Sequence, residues 1–226
     1  MSSERRPFSE SRAFDLLAAS PLVVWYGFAV VGIALEVWRP LSEWTPSQGW
    51  EVLLNPVTQL SAGLFLGLQF VLFLVRRLPI AKAEGIAPRI AGFVGANLAF
   101  AFLALPRAAL SARVQTISSA IILLSTFACV VVALQLGRAF SVLPQARAFV
   151  RTGPYRFIRH PLYLAEQVGT WGLMLQFRQP WALLVAIASL GAQFPRMQYE
   201  EQILHKTFAK YADYANTTYR LIPGIY

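Results

Sequence analysis

Residues 114–136 read VQTISSAIILLSTFACVVVALQL and include no charged side chain. A helix needs about 20 apolar residues to cross the hydrocarbon core of a bilayer, so this stretch predicts a transmembrane helix. The composition of the chain agrees, because 56% of its 226 residues are hydrophobic and only 14% are charged. A soluble domain of this length rarely needs so much apolar surface. The sequence therefore predicts an integral membrane protein.

Further apolar runs lie on both sides of this stretch. Three of them predict spans: Leu16–Trp38, Val52–Val75 and Ile90–Leu105. Two shorter runs, Leu162–Phe177 and Trp181–Phe194, are separated by a polar tripeptide that ends in proline, which predicts a tight helical hairpin. The predicted fold class is all-α, a polytopic helical bundle of about six spans with a C-terminal cytosolic amphipathic helix. We expect a four-span membrane region over 1–136 and a catalytic region over 137–226.

The basic residues alternate between the non-spanning segments. Of the 20 lysines and arginines, 16 fall in the first, third, fifth and seventh segments and 4 in the three segments between them. Cytoplasmic loops carry such an excess, so both termini are expected in the cytosol. The basic residues behind the +9 net charge are then concentrated at one membrane face, which argues against nucleic acid as a partner. The polar N-terminus does not resemble a signal peptide, and we expect a bacterial inner membrane, with an internal eukaryotic membrane as the alternative.

The fifth non-spanning segment carries the first residues suited to chemistry. It contains Arg151-Thr-Gly-Pro-Tyr-Arg-Phe-Ile-Arg-His-Pro-Leu-Tyr163, in which a Gly-Pro pair signals a turn and Pro161 suits the first position of a helix. Arg156, Arg159 and His160 are therefore expected at a helix N-terminus, whose free amides favour anionic groups. The alternative is that the arginines anchor to phosphate headgroups and that His160 only caps the helix.

The last segment carries a carboxylate pair. Read as one helix from Arg196, it places Glu201 within an apolar stripe and Glu200 on the flank of that stripe. Two carboxylates beside apolar surface are costly unless a cation meets them. They are expected either to bind a ligand or to form structural ion pairs with Arg196 or the arginines of 151–159. The residues of the stripe are Met197, Leu204, Phe208, Tyr211 and Ala215.

Few other polar residues are candidates for a catalytic or binding role. Glu166 and Gln167 place polar atoms inside the predicted fifth span, where such atoms are costly unless paired. His160 and His205 are the only histidines, and neither has a further ligand at metal-binding spacing, so no metal site is predicted. The single cysteine, Cys129, excludes an intrachain disulfide.

Several of these residues together resemble a known family. The motifs that carry the resemblance lie in the family's order, within about residues 137–226 of this chain. They are Gly153-Pro154-Tyr155, Arg159-His160-Pro161-x-Tyr163, Glu200-Glu201, Tyr211-x-x-Tyr214 and Arg220-Leu-Ile-Pro223. The pattern resembles the superfamily of isoprenylcysteine carboxyl methyltransferases and phospholipid N-methyltransferases, integral membrane enzymes that use S-adenosylmethionine. The resemblance implies a membrane lipid or lipidated substrate that enters laterally between helices. It also implies a cofactor site on the cytosolic side, formed by Tyr155, His160, Tyr163, Glu200 and Glu201.

The same resemblance places Arg196 or Arg159 near the acceptor. Methyl transfer from a sulfonium is an in-line displacement, which requires aligned reactants and the exclusion of water. A carboxylate acceptor would need only a cation such as Arg196 to orient it, whereas an amine would have to lose a proton, with Glu201 as the candidate base. The sequence leaves both acceptors open. It contains no Gly-x-Gly-x-x-Gly, so a Rossmann-type cofactor domain is not predicted.

Two other classes of protein compete with this interpretation. The C-terminal residues Tyr219-Arg-Leu-Ile-Pro-Gly-Ile-Tyr226 also resemble membrane sterol reductases, which use NADPH, although those enzymes usually have more spans and an Asp-Glu pair in place of Glu-Glu. A non-enzymatic membrane scaffold is the third possibility, but a scaffold has no need of a carboxylate pair on an apolar stripe. The sequence predicts no oligomeric state.

Overall fold

The computed structural model describes residues 11–225 and is mostly helical. The beginning of the first basic segment, residues 1–10, and Tyr226 lie outside the described residues. The described part contains seven α-helices. They are α1 (Arg12–Ser42), α2 (Leu54–Val75), α3 (Ala87–Asn97), α4 (Ala112–Leu136), α5 (Pro161–Met174), α6 (Trp181–Thr207) and α7 (Tyr211–Thr217). Two short strands, β1 (Ala81–Lys82) and β2 (Gln145–Ala146), pair antiparallel.

Four helical segments of the described chain are long and apolar enough to cross a membrane: Arg12–Ser42, Trp50–Val75, Ala87–Ala104 and Ala112–Ala139. They correspond to the first four predicted spans. The third combines α3 with a 3-10 segment, Leu98–Ala104. Large apolar side chains on these helices face outward, among them Phe28 at 74% exposure and Leu124 at 71%. Such exposure suits a lipid environment, because a soluble protein rarely shows so much apolar surface.

The last two predicted spans have a different form. The expected turn lies between α5 and α6, but α5 has only 14 residues, and neither helix belongs to the four candidate spans of residues 11–225. The prediction of six spans is therefore not confirmed. Nor does a separate amphipathic helix begin near Arg196, because α6 continues through Pro195 as far as Thr207. The backbone becomes extended at Phe208, whose ring stacks on Phe149, and α7 starts only at Tyr211.

The helices pack in the order α1, α2, α4, α5, α6 and α3. Hydroxyl groups tie α4 to α5, since Ser118 donates to the carbonyl of Gly172 at 2.8 Å and Ser125 donates to that of Ala165 at 2.9 Å. Polar contacts of this kind stabilise helix packing in lipid, because apolar side chains gain little by leaving the lipid tails for a neighbouring helix. Gly95 allows α3 to approach α6 closely, because a Cβ there would lie 2.9 Å from Cδ of Arg196. The packing fixes Arg196 inside the bundle.

One end of the bundle collects three of the basic loops, and we call it the loop end. The β1–β2 pair joins the segment after α2 to the segment after α4. A parallel bridge between Ile158 and Tyr219 joins the segment before α5 to the C-terminal segment. The first turn of α1 reaches the same end, where Asp15 pairs with Arg76 and Arg147. The segments that the charge pattern predicts on one side of the membrane therefore lie together. That this side is the cytosolic one stays a prediction.

Candidate functional site

The segment between α4 and α5 delivers most of the predicted site residues to the loop end. It ends at His160, and Pro161 is the first residue of α5, as its missing N–H and fixed φ favour. The His160 side chain does not cap this helix. Its Nε2 instead lies 2.9 Å from Oε1 of Glu201 on α6. Side chains thus connect the beginning of α5 to the C-terminal part of α6.

Glu201 is surrounded by cationic partners. Arg159 donates from Nε to its Oε1 at 2.9 Å, and Arg220 contacts its Oε2 through Nη2 at 2.9 Å. Arg159 also donates from Nη1 to the carbonyl oxygens of Ala215 and Thr218, both at 2.6 Å. The carboxylate therefore holds together the loop before α5, the helix α6 and the C-terminal segment.

The surroundings of Glu201 also set its ionisation. Burial disfavours the charged carboxylate and raises its pKa, but the hydrogen bonds and electrostatic attraction of His160 and Arg159 outweigh this effect. The net result lowers the pKa of Glu201 from 4.5 to about 2. Glu201 thus remains ionised throughout the physiological range and is a weak proton acceptor.

Glu200, the next residue along α6, lines a cavity at the loop end that we call the loop cavity. The cavity is open on one side and encloses about 710 Å³ of space when its mouth is included. Glu200 accepts a hydrogen bond from the Tyr163 hydroxyl. The six sequence-predicted or motif residues that line the cavity beside Glu200 are Tyr155, Arg159, His160, Tyr163, Tyr211 and Tyr214.

Aromatic rings make up much of the wall of the loop cavity. Phe149 contacts Tyr211 and Tyr214, with ring centroids 5.5 and 5.2 Å apart, and all three line the cavity. Burial raises the pKa of Tyr155 and Tyr211, and that of Tyr214 to about 12, so these phenols remain neutral. The cavity thus combines neutral aromatic surface with one carboxylate, that of Glu200, and with the cationic Arg159.

Tyr163 connects the loop cavity to buried charges behind it. One face of its ring stacks on His160, with centroids 5.1 Å apart and planes 12° from parallel. The guanidinium carbon of Arg196 lies 3.9 Å from the centre of the Tyr163 ring, a cation–π contact. Arg196 is only 2% exposed and donates to Glu166 at 3.2 Å and to Gln193 at 3.3 Å. Arg196 therefore lies behind the loop cavity and is not part of its described lining.

A second cavity lies among the membrane helices, and we call it the membrane cavity. It encloses about 1020 Å³ including its opening, and Glu166 is the acidic residue of its described lining. Apolar lining residues include Tyr26, Phe65, Leu66, Phe100, Ile122 and Leu173. The chain of contacts from Glu200 through Tyr163 and Arg196 to Glu166 links the two cavities.

The predicted site residues thus fall into two groups. Tyr155, Arg159, His160, Tyr163 and Glu200 line the loop cavity. Glu201 and Arg196 contact members of that group but lie outside the described lining.

The sequence identifies neither Phe149 nor the partner of Glu166. Phe149 carries no motif, and only its position between basic residues of the loop could have drawn attention to it. The sequence predicts Glu166 as a polar residue within a span, but it does not predict the pairing with Arg196, because the two residues are 30 positions apart.

Comparison with known proteins bears directly on this region. Residues 106–211 match the family described as phospholipid methyltransferase. The matched segment runs from the loop before α4 to the start of α7, and so includes every predicted site residue. The match confirms the resemblance to the integral membrane methyltransferase superfamily. The matched family suggests methyltransferase activity on lipid-like substrates, and together with the four candidate spans it suggests an integral membrane protein. A search of the curated proteins found no match to the chain.

Proposed function

We propose that this protein transfers a methyl group from S-adenosylmethionine to a lipid-like acceptor, an isoprenylcysteine-type carboxylate or a phospholipid amine, at the cytosolic face of the membrane. One observation carries the proposal: the loop cavity with Glu200 is linked through Tyr163 and Arg196 to a cavity among the membrane helices. A water-soluble cofactor and a lipid acceptor need two such approaches to one reaction centre. The similarity of residues 106–211 to phospholipid methyltransferases supports the same reaction.

The residues of the loop cavity fit S-adenosylmethionine in their chemistry. Among the described residues Glu200 has a single hydrogen-bond partner, Tyr163, so its carboxylate can still accept from an amino group or from ribose hydroxyls. Tyr155, Tyr211 and Phe149 offer rings that stack on a planar base and attract a sulfonium charge. When bound, this cofactor supplies a methyl group activated by a positively charged sulfur. The catalytic region of 137–226 would then hold the cofactor, and the four-span region would complete the lipid cavity.

Glu201 is assigned a positioning role. Its two oxygens are occupied by Arg159, His160 and Arg220, and its pKa of about 2 makes it a poor base. By fixing His160, Glu201 also fixes the ring of Tyr163 that stacks on it. Since Tyr163 binds Glu200, the charged cluster sets the direction of the cofactor-side carboxylate.

Arg196 and Glu166 are the groups best placed for the acceptor. Glu166 lines the membrane cavity and would accept a proton from an amine acceptor, a role for which Glu201 is poorly suited. Arg196 would instead orient a carboxylate acceptor if Glu166 released it. The apolar walls of the membrane cavity would hold the lipid chain and keep water from the reacting groups.

The test begins with the purified, detergent-solubilised full chain. S-adenosylhomocysteine and NADPH are titrated separately by calorimetry, and methyl transfer from labelled S-adenosylmethionine is then measured with phosphatidylethanolamine and with a prenylated cysteine. Saturable binding of S-adenosylhomocysteine and labelling of either lipid support the proposal. Binding of NADPH alone would overturn it in favour of a reductase, and binding of neither ligand by folded protein would favour a scaffold.

A further inference from the structure

A second buried charge cluster lies at the loop end, away from the residues assigned to methyl transfer. The carboxylate of Asp15 on α1 accepts hydrogen bonds from Arg76 Nε at 2.9 Å and from Arg147 Nη2 at 2.8 Å. Asp15, Arg76 and Arg147 are 5%, 6% and 2% exposed. One carboxylate therefore faces two guanidinium groups, and one positive charge in the cluster is left without a counterion among the described residues. A buried charge of this kind is costly unless an anion meets it.

The donors of the cluster are not all used. Arg76 contacts Asp15 through Nε and Nη2, which leaves Nη1 without a hydrogen bond to the described residues. Nε of Arg147 is buried and also has no partner in the described part of the chain. Arg76 therefore retains capacity for an additional acceptor, whereas the Arg147 side chain is fully buried and adds only its charge.

Arg76 and Asp15 line a pocket of about 870 Å³, counted with its mouth, that we call the headgroup pocket. Two further cations line it, Lys82 on β1 and Arg89 in the first turn of α3, and both are exposed. Asp15 is the one acidic residue of the described lining, and it is already paired with Arg76 and Arg147. The pocket thus carries an excess of positive charge at its rim.

Part of the lining of the headgroup pocket is apolar. It is built from the first turns of α1, with Phe14, Ala18, Ala19 and Leu22. Because α1 is one of the candidate membrane spans, this wall leads from the loop end towards the hydrocarbon region. A cationic rim joined to an apolar wall fits an amphiphile better than a free inorganic anion, and basic pockets between membrane helices are known to bind anionic lipid headgroups.

We propose that the headgroup pocket binds the phosphate of an anionic membrane lipid, whose acyl chains lie along α1. The bound lipid is a resident of this site and is distinct from the methyl acceptor, which occupies the membrane cavity. Leu143 and Gln145 line both the headgroup pocket and the loop cavity. A phosphate held by Arg76, Lys82 and Arg89 therefore stabilises the segment that separates the two.

Lipid binding to the delipidated full chain in detergent tests the proposal by native mass spectrometry. Phosphatidylglycerol and phosphatidylcholine with the same acyl chains are titrated onto the wild type, onto Lys82→Gln/Arg89→Gln and onto the charge-matched control Arg113→Gln/Lys206→Gln. All four replaced side chains are exposed, and Arg113 and Lys206 do not line the headgroup pocket. Inorganic phosphate is added as a competitor.

The wild type is expected to bind phosphatidylglycerol in preference to phosphatidylcholine. Since each basic residue near an anionic surface contributes about 1 kcal/mol, the pocket variant should lose about tenfold or more in affinity for phosphatidylglycerol, whereas the control should retain it. Equal binding of the two lipids by the wild type would by itself overturn the proposal, whatever the variants show. Equal losses in the pocket and control variants would overturn it too, and displacement of the lipid by inorganic phosphate at equal concentration would show a free-phosphate site instead.

Discussion

Glu200 and Glu201 are adjacent on α6, yet their carboxylates have different partners. Glu200 lines the loop cavity and accepts a hydrogen bond from Tyr163. Glu201 lies against the loop before α5, where Arg159, His160 and Arg220 contact it. Since successive residues of a helix differ by about 100° in direction, neighbouring side chains can serve a cavity and a structural cluster separately. Each glutamate therefore has its own expected mutational effect.

Glu200→Gln should weaken cofactor binding without unfolding the protein. The amide keeps the shape of the side chain and an oxygen that accepts from Tyr163, but it removes the negative charge that faces the loop cavity. We expect the affinity for S-adenosylhomocysteine to fall about tenfold or more, equivalent to about 1.4 kcal/mol, with little change in melting temperature. Calorimetry measures the affinity. Asp213→Asn removes an exposed carboxylate outside the loop cavity and serves as the control, and equal affinities of wild type and Glu200→Gln would refute the role of Glu200.

Glu201→Gln should instead reduce stability, in a manner that depends on pH. The folded-state pKa of Glu201, about 2, lies below the usual value of 4.5, so its charge stabilises the folded protein above pH 4.5. This contribution is lost as the pH falls from 4.5 towards 2, and it amounts at most to about 3 kcal/mol. The melting temperature of the wild type should thus fall over this pH range more steeply than that of Glu201→Gln. At neutral pH the variant should melt lower than the wild type, and parallel pH profiles would contradict the assignment.

The membrane spans could be predicted because their signal is local. An uncharged run such as 114–136 needs no knowledge of its neighbours to be identified as a helix of membrane length, and α4 covers it. The start of α5 at Pro161 could be predicted from an equally local signal, since the preference of proline for the first helical position depends on its own ring. The expectation of structural ion pairs for the carboxylates was right for Glu201, which pairs with Arg159.

Features that depend on distant residues escaped prediction. Proline usually interrupts a helix, but α6 continues through Pro195, and it ends only where Phe208 turns to stack on Phe149 from another loop. The separation of roles between Glu200 and Glu201 depends on Arg220, which the C-terminal segment brings to α6. Spacing along the sequence carries no information on contacts of this kind.

The ion pair between buried Arg196 and partly buried Glu166 should show strong energetic coupling. Arg196 is 2% exposed, so a variant that removes only Glu166 leaves its charge buried without this partner. Breaking such a pair from one side costs roughly 3–5 kcal/mol, whereas replacing both members with apolar groups costs much less. We therefore expect Glu166→Leu and Arg196→Met each to destabilise the protein more than the double variant does. Unfolding by denaturant in detergent measures the free energies, and additive losses would show that the two residues are not coupled.

Ala62→Phe should separate lipid turnover from cofactor binding. Ala62 lines the membrane cavity from α2, and a phenyl group there would occupy the space assigned to the lipid chain. The loop cavity does not include Ala62, so S-adenosylhomocysteine should bind with unchanged affinity while the rate of methyl transfer to lipid falls about tenfold or more. Ala120→Phe adds the same group to an exposed position of α4 outside the cavity and controls for the added bulk. Because the acceptor and cofactor occupy different cavities in the proposed reaction, an equal loss of both activities in Ala62→Phe would indicate a folding defect. An unchanged rate of lipid methylation would mean that the acceptor reaches the reaction centre by another path.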